Sequence, residues 1–318
     1  MEKDLDTLDR QLLQALHLDP RASFARIGEV LGVSDRTVAR RYARLRDERV
    51  IHLVGMADPG HLGGAEQVLR LRCKPGPAGQ VAEALARRDD TRWVALLSGG
   101  TEICASLRSW SARERDELVL ERLPRTTAIV SASAHSVLNV FTTSRHGFEG
   151  PDPLTAEQVA ALDPHLDPVE AGLTDADRPL LDVLAANGRA PHPALAAATG
   201  WSESTAARRL AVLRAAGLVR FDLDVNAAAL GHPTEARLWA TVPPAHLAQA
   251  GATVAAHPQV TFCAATTGPA NLLISVACRD DRDLYRYLTG RLGTVPGVGE
   301  VVTTPVVRVL KRAGRYLR

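Results

Sequence analysis

The sequence predicts an α+β protein made of two tandem units, each with a helix-turn-helix segment followed by a ferredoxin-like βαββαβ domain. Three observations predict this fold: a repeat with an offset of 168 residues, a helical pattern that opens each copy, and strand-like segments that close it. The period is far longer than that of a solenoid, so it indicates duplication of a whole multi-element unit.

The repeat is clearest where the two copies begin. Residues 5–51 align with residues 173–219 without a gap, and 17 of these 47 positions are identical. The predicted boundaries are a helix-turn-helix domain at 1–55, a ferredoxin-like domain at 56–143, a linker rich in Pro, Asp and Gly at 144–172, and the same two domains again at 173–222 and 223–318.

The opening fifty residues have the periodicity of three helices. The first helix carries an apolar stripe formed by Leu5, Leu8, Leu12, Leu13 and Leu16. A shorter second helix ends at Gly32, and Ser34 is suited to cap a third. Helix, short glycine-containing turn and helix is the helix-turn-helix arrangement.

The later part of each copy alternates between strand-like and helical patterns. In the first copy strands are predicted at 67–73, 92–98, 102–108 and 128–141, with helices at 79–90 and 112–123. The second copy follows the same order. Four strands and two helices in the order βαββαβ predict a ferredoxin-like sheet.

The third helix of the first copy has two unlike sides. Val38, Tyr42 and Leu45 fall on one side and are predicted to pack inward, whereas Arg36 and Arg40 point the opposite way. Residues 34–49 hold six arginines and three acids, although the whole chain has a net charge of only +2. Outward arginines on a helix held by its apolar side are suited to the major groove of DNA, where arginine pairs with guanine.

The residues predicted to contact DNA lie on this helix and on its repeat. In the first copy they are Ser34, Arg36, Thr37, Arg40, Arg41 and Arg44, of which Arg41 and Arg44 lie nearer the DNA backbone or the helix packing. In the second copy they are Ser202, Ser204, Thr205, Arg208 and Arg209. Because Ser204 and Val212 replace two arginines, the second helix is expected to bind more weakly, to read a different half-site, or only to support the fold. A solvated charged face that binds another protein is the alternative for both helices.

Composition bounds the remaining possibilities. No apolar run is long enough for a membrane span, and the acidic start does not resemble a signal peptide, so a cytoplasmic protein without membrane contact is expected. The four cysteines are scattered and predicted to be reduced core thiols, and no metal site, cofactor or catalytic motif is predicted.

The stretch LDTLDRQLLQALHLDPRASFARIGEVLGVSDRTVARRYARLRDERVI resembles the opening of the Lrp/AsnC (leucine-responsive or feast/famine) transcription regulators. The stretch that begins LTDADRPLLDVLAANGRAPHPALAAATG resembles it again. The resemblance implies a winged helix-turn-helix and a RAM-type βαββαβ domain in each copy, double-stranded operator DNA as partner, and an amino-acid-like effector. It also implies effector contacts from one loop in each copy, at Gly99, Gly100 and Glu102 and at Gly268 and Asn271, although neither loop keeps the aspartate typical of the family.

Three functions follow from this resemblance. The favoured one is a sequence-specific transcriptional regulator, not an enzyme, whose two copies pair as an intrachain pseudo-dimer or whose chains form a homodimer. The second is an enzyme that resembles the siroheme decarboxylases, which share the fold. The third is a ligand-binding scaffold that has lost DNA binding.

Overall fold

The computed structural model describes residues 5–57, 61, 64–111, 113, 116–141 and 153–317. Its contacts divide the chain into two compact units that each draw on both copies. The first, the head unit, comprises Met1–Leu62 and Phe148–Leu230, and the second, the strand unit, comprises Gly63–Gly147 and Gly231–Arg318. Each unit therefore combines corresponding parts of the two copies: the helix-turn-helix segments in the head unit and the βαββαβ segments in the strand unit.

The elements of the first copy follow the predicted order, with one further strand, Ile51–Ala57, between the three helices and the predicted sheet. They are α1 (Thr7–Leu18), α2 (Phe24–Leu31), α3 (Asp35–Asp47), β1 (Ile51–Ala57), β2 (Ala65–Cys73), α4 (Ala78–Ala86), β3 (Thr91–Leu97), β4 (Glu102–Ser109), the π-helical α5 (Glu117–Arg122) and β5 (Ile129–Val140).

The second copy repeats that order after one intervening helix, α6 (Ala156–Leu162). Its elements are α7 (Arg178–Ala186), α8 (His192–Thr199), α9 (Glu203–Ala215), β6 (Val219–Val225), β7 (Thr234–Ala240), α10 (Pro244–Ala255), β8 (Val260–Thr266), β9 (Leu272–Cys278), α11 (Asp281–Arg286), β10 (Val301–Arg312) and β11 (Arg315–Tyr316).

The head unit contains two three-helix heads, α1–α3 and α7–α9. Gly32 ends α2 with φ 68° and Gly200 ends α8 with φ 73°, a left-handed conformation that glycine adopts without strain. The predicted inward side of α3 is buried in the core of the first head: Val38 is 2% exposed and Leu45 is fully buried. Ala206, Leu210 and Leu213 bury the same side of α9.

One antiparallel strand pair joins the two heads. β1 pairs with β6 along seven residues each, and Val54 lies opposite Asp222, its own counterpart 168 positions later. A pairing that places a residue opposite its repeat has a local two-fold axis at that point, as in an isologous dimer. The strand that follows each head therefore pairs with the other copy.

The segment predicted as a linker contains a folded part. Residues 144–152 lie outside the described residues, but Leu154 and Leu162 are buried against the first head. Gln158 of α6 donates to the carbonyl of Val30 (3.0 Å), and Gln14 of α1 accepts from the amide of Leu154 (2.9 Å). Helix α6 thus extends the core of the first head.

In the strand unit the sheets of the two copies form one structure. The strands pair in the order β11-β10-β3-β4-β2-β5-β8-β9-β7, and β7 also pairs with β10, so the described strands close into a ring. The last strand of each copy is divided between the two sheets: β5 pairs first with β2 and then with β8, while β10 pairs first with β7 and then with β3. Each sheet is thus completed by the other copy.

Helices cover the outer face of each sheet, and the inner faces meet. α4 and α5 pack on the first sheet with Leu85 and Leu118, and Val254 of α10 packs on the second. Between the sheets lies a cluster of Val68, Ala95, Leu97, Cys104, Trp239 and Leu273, to which both copies contribute. Among the described residues, no helix has the length and apolarity that a membrane span needs.

Candidate nucleic-acid interface

The outward side of α3 carries exposed arginines, as the sequence predicts. Arg36 and Arg40 are both exposed. Among the described residues, neither guanidinium group donates a hydrogen bond or forms an ion pair. Two cationic side chains that stand out from a helix held by Val38 and Leu45 are available to DNA phosphates or base edges.

The serines before the two helices act as N-caps. Ser34 Oγ accepts from the amide of Thr37 (3.1 Å) and lies 2.9 Å from the Thr37 hydroxyl oxygen. Ser202 repeats this contact with Thr205, at 3.2 and 2.8 Å. These four residues fix where α3 and α9 begin, and their hydroxyl groups already form local contacts.

Arg41 and Arg44, which the sequence places among the DNA contacts nearer the DNA backbone or the helix packing, form ion pairs within the first head. Arg41 donates to Asp6 (2.6 Å) and to Asp9 (3.0 Å), and Arg44 also donates to Asp9, whose side chain is fully buried. The hydrogen bond from Arg41 holds the pKa of the Asp6 carboxyl below its usual 3.8. The buried carboxylate of Asp9 thus ties α3 to α1 through both arginines.

Arg209 has the same place in the second head. It donates to both carboxylate oxygens of Asp177, each at 2.7 Å, and to the carbonyl of Gly172. Burial opposes ionisation of Asp177, but hydrogen bonds from Arg209 and Thr174 outweigh it and hold the pKa of Asp177 below 3.8. Arg41, Arg44 and Arg209 therefore form packing contacts within their own heads, and their predicted contact with DNA stays a prediction.

The outward side of α9 is less basic than that of α3. Arg208 is exposed, and among the described residues its guanidinium group has no acceptor. Ser204, at the position of Arg36, lies with its Oγ 3.0 Å from the capping Ser202 Oγ. The outward side of α9 therefore presents one exposed arginine, Arg208, where that of α3 presents two, Arg36 and Arg40.

A pair of arginines that the sequence analysis left unassigned joins the heads. Arg21 and Arg189 are counterparts in the repeat. Each donates two hydrogen bonds to the carbonyl oxygens of the residues that flank the other: Gly188 and Ala190 for Arg21, Pro20 and Ala22 for Arg189. The four distances lie between 2.6 and 3.1 Å. We call this reciprocal contact the arginine clasp.

Aromatic rings complete the clasp. The Arg189 guanidinium lies 4.4 Å from the Phe24 ring centre, and that of Arg21 lies 5.7 Å from the Phe221 ring centre. Burial, with the nearby charges of Arg189 and Arg214, lowers the pKa of Arg21 to about 10, so it stays protonated at neutral pH. Arg21 recurs as Arg189, although neither residue belongs to the apolar pattern of its helices. This recurrence is the feature of the sequence from which the arginine clasp could have been predicted.

The first-copy loop that was predicted to bind an effector has one side chain, that of Glu102, already paired within the protein. Gly99 and Gly100 have φ of 66° and 90°, and a Cβ atom on Gly99 would meet nothing within 4 Å. Glu102, however, is 5% exposed and accepts from Arg70 Nε at 2.6 Å. Gly99 borders open space, whereas the Glu102 carboxylate already has a cationic partner.

The loop of the second copy is covered by the first copy. Gly268 has φ 108°, and a Cβ atom there would lie 2.3 Å from Nδ1 of His135. Asn271 accepts from the amide of Val242 (2.9 Å) and donates to its carbonyl (2.8 Å), so both ends of its amide are used. The polar atoms of Glu102 and Asn271 that were assigned to an effector therefore serve the protein's own structure.

Comparison with known families agrees with this arrangement. The AsnC-type helix-turn-helix domain matches residues 5–46 and 173–214, which are the two heads, and the Lrp/AsnC ligand binding domain matches residues 235–316. The chain belongs to the Lrp/AsnC family. Its departure from a single Lrp/AsnC unit is the tandem duplication.

Curated Lrp/AsnC relatives correspond to one copy. The HTH-type transcriptional regulator FL11 of Pyrococcus horikoshii is 25% identical over 140 residues, which span 44% of this chain and 92% of the relative. The HTH-type transcriptional regulator AldR of Mycolicibacterium smegmatis is 28% identical over 126 residues, or 38% of this chain and 74% of the relative.

A solved structure matches both copies at once. The siroheme decarboxylase NirDL superposes with a TM-score of 0.65 over 96% of this chain and 93% of its own, at 12% identity. At that identity the match establishes a shared tandem fold and carries no argument about activity.

Proposed function

We propose that this Lrp/AsnC chain is a sequence-specific DNA-binding transcriptional regulator, without enzymatic activity, that responds to a small-molecule effector. The observation that carries the proposal is the exposed pair Arg36 and Arg40 on α3, repeated as Arg208 on α9. Both helices belong to segments that match the AsnC-type helix-turn-helix domain.

The head unit suits an operator with two unequal half-sites. The β1–β6 pairing and the arginine clasp relate the heads by local two-fold symmetry within one chain. Two symmetry-related helices read half-sites of opposite orientation. Because Ser204 replaces Arg36, the half-site read by α9 is expected to contribute less to affinity.

The residues divide into two roles in this proposal. Arg36, Arg40 and Arg208 contact bases or phosphates, while the N-terminal turns of α3 and α9, capped by Ser34 and Ser202, face the DNA backbone. Arg41, Arg44 and Arg209 hold the helices in place through Asp9 and Asp177 and reach DNA only indirectly.

The proposal is tested by fluorescence anisotropy of the purified full chain with the DNA upstream of its own gene. Binding should survive a scrambled competitor, and the logarithm of the binding constant should fall linearly with that of the salt concentration, by about 0.9 per phosphate contact. Equal binding to the scrambled sequence would refute sequence-specific recognition. Arg72→Ala, which removes an exposed arginine of the strand unit, is the control and should bind as the parent does.

The fold shared with NirDL defines the competing experiment. A related structure contains the decarboxylase with an iron-uroporphyrin III analogue. Titration of this chain with iron-uroporphyrin III, followed by its absorption spectrum, should give no saturable change. Stoichiometric binding together with a loss of carboxyl groups, in a protein that shows no DNA preference, would replace the regulator by an enzyme.

A further inference from the structure

The inner face of β7 and β10, between the two sheets of the strand unit, holds three buried groups whose hydrogen-bonding capacity is not used. They are Arg237 Nη1, Trp239 Nε1 and Thr304 Oγ1, and none has a hydrogen-bond partner among the described residues. Trp239 is 2% and Thr304 3% exposed. A buried polar group without a partner is costly, so such groups indicate a missing ligand atom.

These three groups are neighbours. Arg237 and Trp239 lie two positions apart on β7 and therefore point to the same face. Thr304 of β10 is the direct cross-strand partner of Arg237, a pairing that brings Cβ atoms to within about 5.5 Å. An indole N–H and a guanidinium group only donate, and a hydroxyl can donate, so the set is suited to an acceptor.

The surrounding charges leave one positive charge in excess. Arg70 is paired with Glu102, and Arg312 donates to Glu235 at 2.5 Å. Arg237 forms a long ion pair with Glu235, whose Oε2 lies 3.9 Å from Arg237 Nη1, beyond hydrogen-bond distance. Within this group, three guanidinium groups face two carboxylates.

The neighbourhood combines this charge with apolar walls. Burial raises the pKa of the Cys104 thiol to about 11, and the charges of Arg237, Glu102 and Arg70 act on the same group. Val68, Leu97 and Leu273 belong to the same inner cluster, with Phe262 and Val306 packed against it. A single negative charge attached to a small apolar group fits these surroundings better than a multivalent anion.

We propose that Arg237, Trp239 and Thr304 form a binding site for the carboxylate group of a small apolar monocarboxylate. Arg237 donates to the two oxygens as a planar fork, and the Trp239 N–H and the Thr304 hydroxyl complete the set. This site names the chemical class of the effector and in that respect rests on the proposed regulator. It adjoins both predicted effector loops, because Trp239 stacks with Arg70, the partner of Glu102, and lies 6.4 Å from the ring of His135, which lies against Gly268. Its occupation is measured without DNA.

Asymmetry between the copies restricts this site to one sheet of the pair. In the sheets, corresponding residues of the two copies lie 169 positions apart, as Gly99 and Gly268 do, and not 168 as in the heads. Val68 therefore corresponds to Arg237, Arg70 to Trp239 and His135 to Thr304. Arg70 is already paired with Glu102 and stacks on Trp239 at 4.8 Å, and His135 contacts Ser133. We therefore expect one carboxylate per chain.

The test is thermal unfolding of the full chain with sodium acetate, sodium 3-methylbutanoate or L-leucine, against sodium chloride and acetamide at equal concentration. A carboxylate should raise Tm with the logarithm of its concentration once that exceeds its Kd, reaching roughly 5–10 °C at about 100 times its Kd. A response to 3-methylbutanoate but not to leucine identifies a simple acid, and the reverse identifies an amino acid. If no carboxylate exceeds both chloride and acetamide, the site is refuted.

Two variants separate binding from folding. Arg237→Met should abolish the response. Because it also removes the 3.9 Å ion pair with Glu235, Tm of the ligand-free variant is measured beside it to show that the variant folds. Trp239→Phe keeps the ring stacked on Arg70 but lacks the N–H, and it should weaken binding about tenfold. The exposed Arg72→Met is the matched control. A carboxylate response that persists in Arg237→Met would overturn the assignment, and the DNA-binding result would be unaffected.

Discussion

In the first head α3 presents Arg36 and Arg40, whereas the same side of α9 presents Ser204 and Arg208. Two contacts beneath these surfaces recur in both heads: Asp9 holds Arg41 as Asp177 holds Arg209, and Arg21 mirrors Arg189. The second arginine on Asp9, Arg44, has no counterpart, because position 212 is valine. The copies have diverged on the outward sides of α3 and α9 and have kept the acid–arginine pair and the arginine clasp beneath them. The two heads therefore share how these helices are positioned, whereas the side chains that the helices expose differ.

The largest effect should come from the arginine clasp. Arg189→Ala removes two hydrogen bonds from a buried cation and leaves the carbonyl oxygens of Pro20 and Ala22 without that donor. We expect the free energy of unfolding to fall by roughly 2–4 kcal/mol, measured by urea denaturation. Arg220→Ala, at an exposed position on β6, is the control. If Arg189→Ala loses no more stability than this control, the clasp does not hold the heads together.

The second effect compares the exposed arginines directly. Arg40→Ala should weaken operator binding by roughly 1–3 kcal/mol, the range for one paired guanine contact. Arg208→Ala should cost less, because its head lacks the counterpart of Arg36. Anisotropy titrations at one fixed salt concentration rank the two variants, and an equal or larger loss from Arg208→Ala would reverse the order of the heads.

A smaller effect should follow from making the heads alike. Ser204→Arg supplies α9 with the cation that α3 has at Arg36 and leaves the Ser202 contact to Thr205 in place. We expect tighter binding and a salt dependence that is steeper by about 0.9, the slope of one additional phosphate contact. An unchanged slope would mean that α9 does not lie against DNA.

The smallest effect concerns the two loops. Burial lowers the pKa of His135, which lies against Gly268, below its usual 6.5. Because the folded state favours the neutral form of this histidine, its contribution to the free energy of unfolding is complete above pH 6.5. Part of that stability is lost as the pH falls from 6.5 towards the lowered pKa of His135 in the folded protein. Urea midpoints measured at pH 7.5 and pH 5.5 should therefore differ less in His135→Gln than in the parent. A difference of the same size in both proteins would assign the pH dependence to other groups. The first of these to test is His257, whose pKa is also lowered by burial.

The repeat alone predicted most of the fold. It placed both heads, the cap at Ser34, and the order of the four sheet strands in each copy, because periodicity and capping are local properties. It did not predict that β1 pairs with β6 or that β5 and β10 each serve two sheets, since pairing between distant segments leaves no periodic signature. The ring of strands therefore had to come from the structure.

The candidate site was predictable in part for a similar reason. A helical wheel predicted correctly that Arg36 and Arg40 are exposed. It shows on which side of α3 Arg41 and Arg44 lie, but not which residues of other helices they contact. Their partner Asp9 lies on α1, some thirty residues away. Its identity in both copies was a signal, because Asp9 and Arg41 recur together as Asp177 and Arg209.

The division of β10 between two sheets has a consequence for how the protein is made. Val306 pairs with Leu97, which precedes it by about 200 residues, so the ring closes only after nearly the whole strand unit has been synthesised. Such non-local pairings form slowly and leave strand edges exposed in the meantime. During synthesis the first sheet emerges with β3 still lacking its neighbour, and this edge is the place where we expect a chaperone, or a second nascent chain, to interfere with folding.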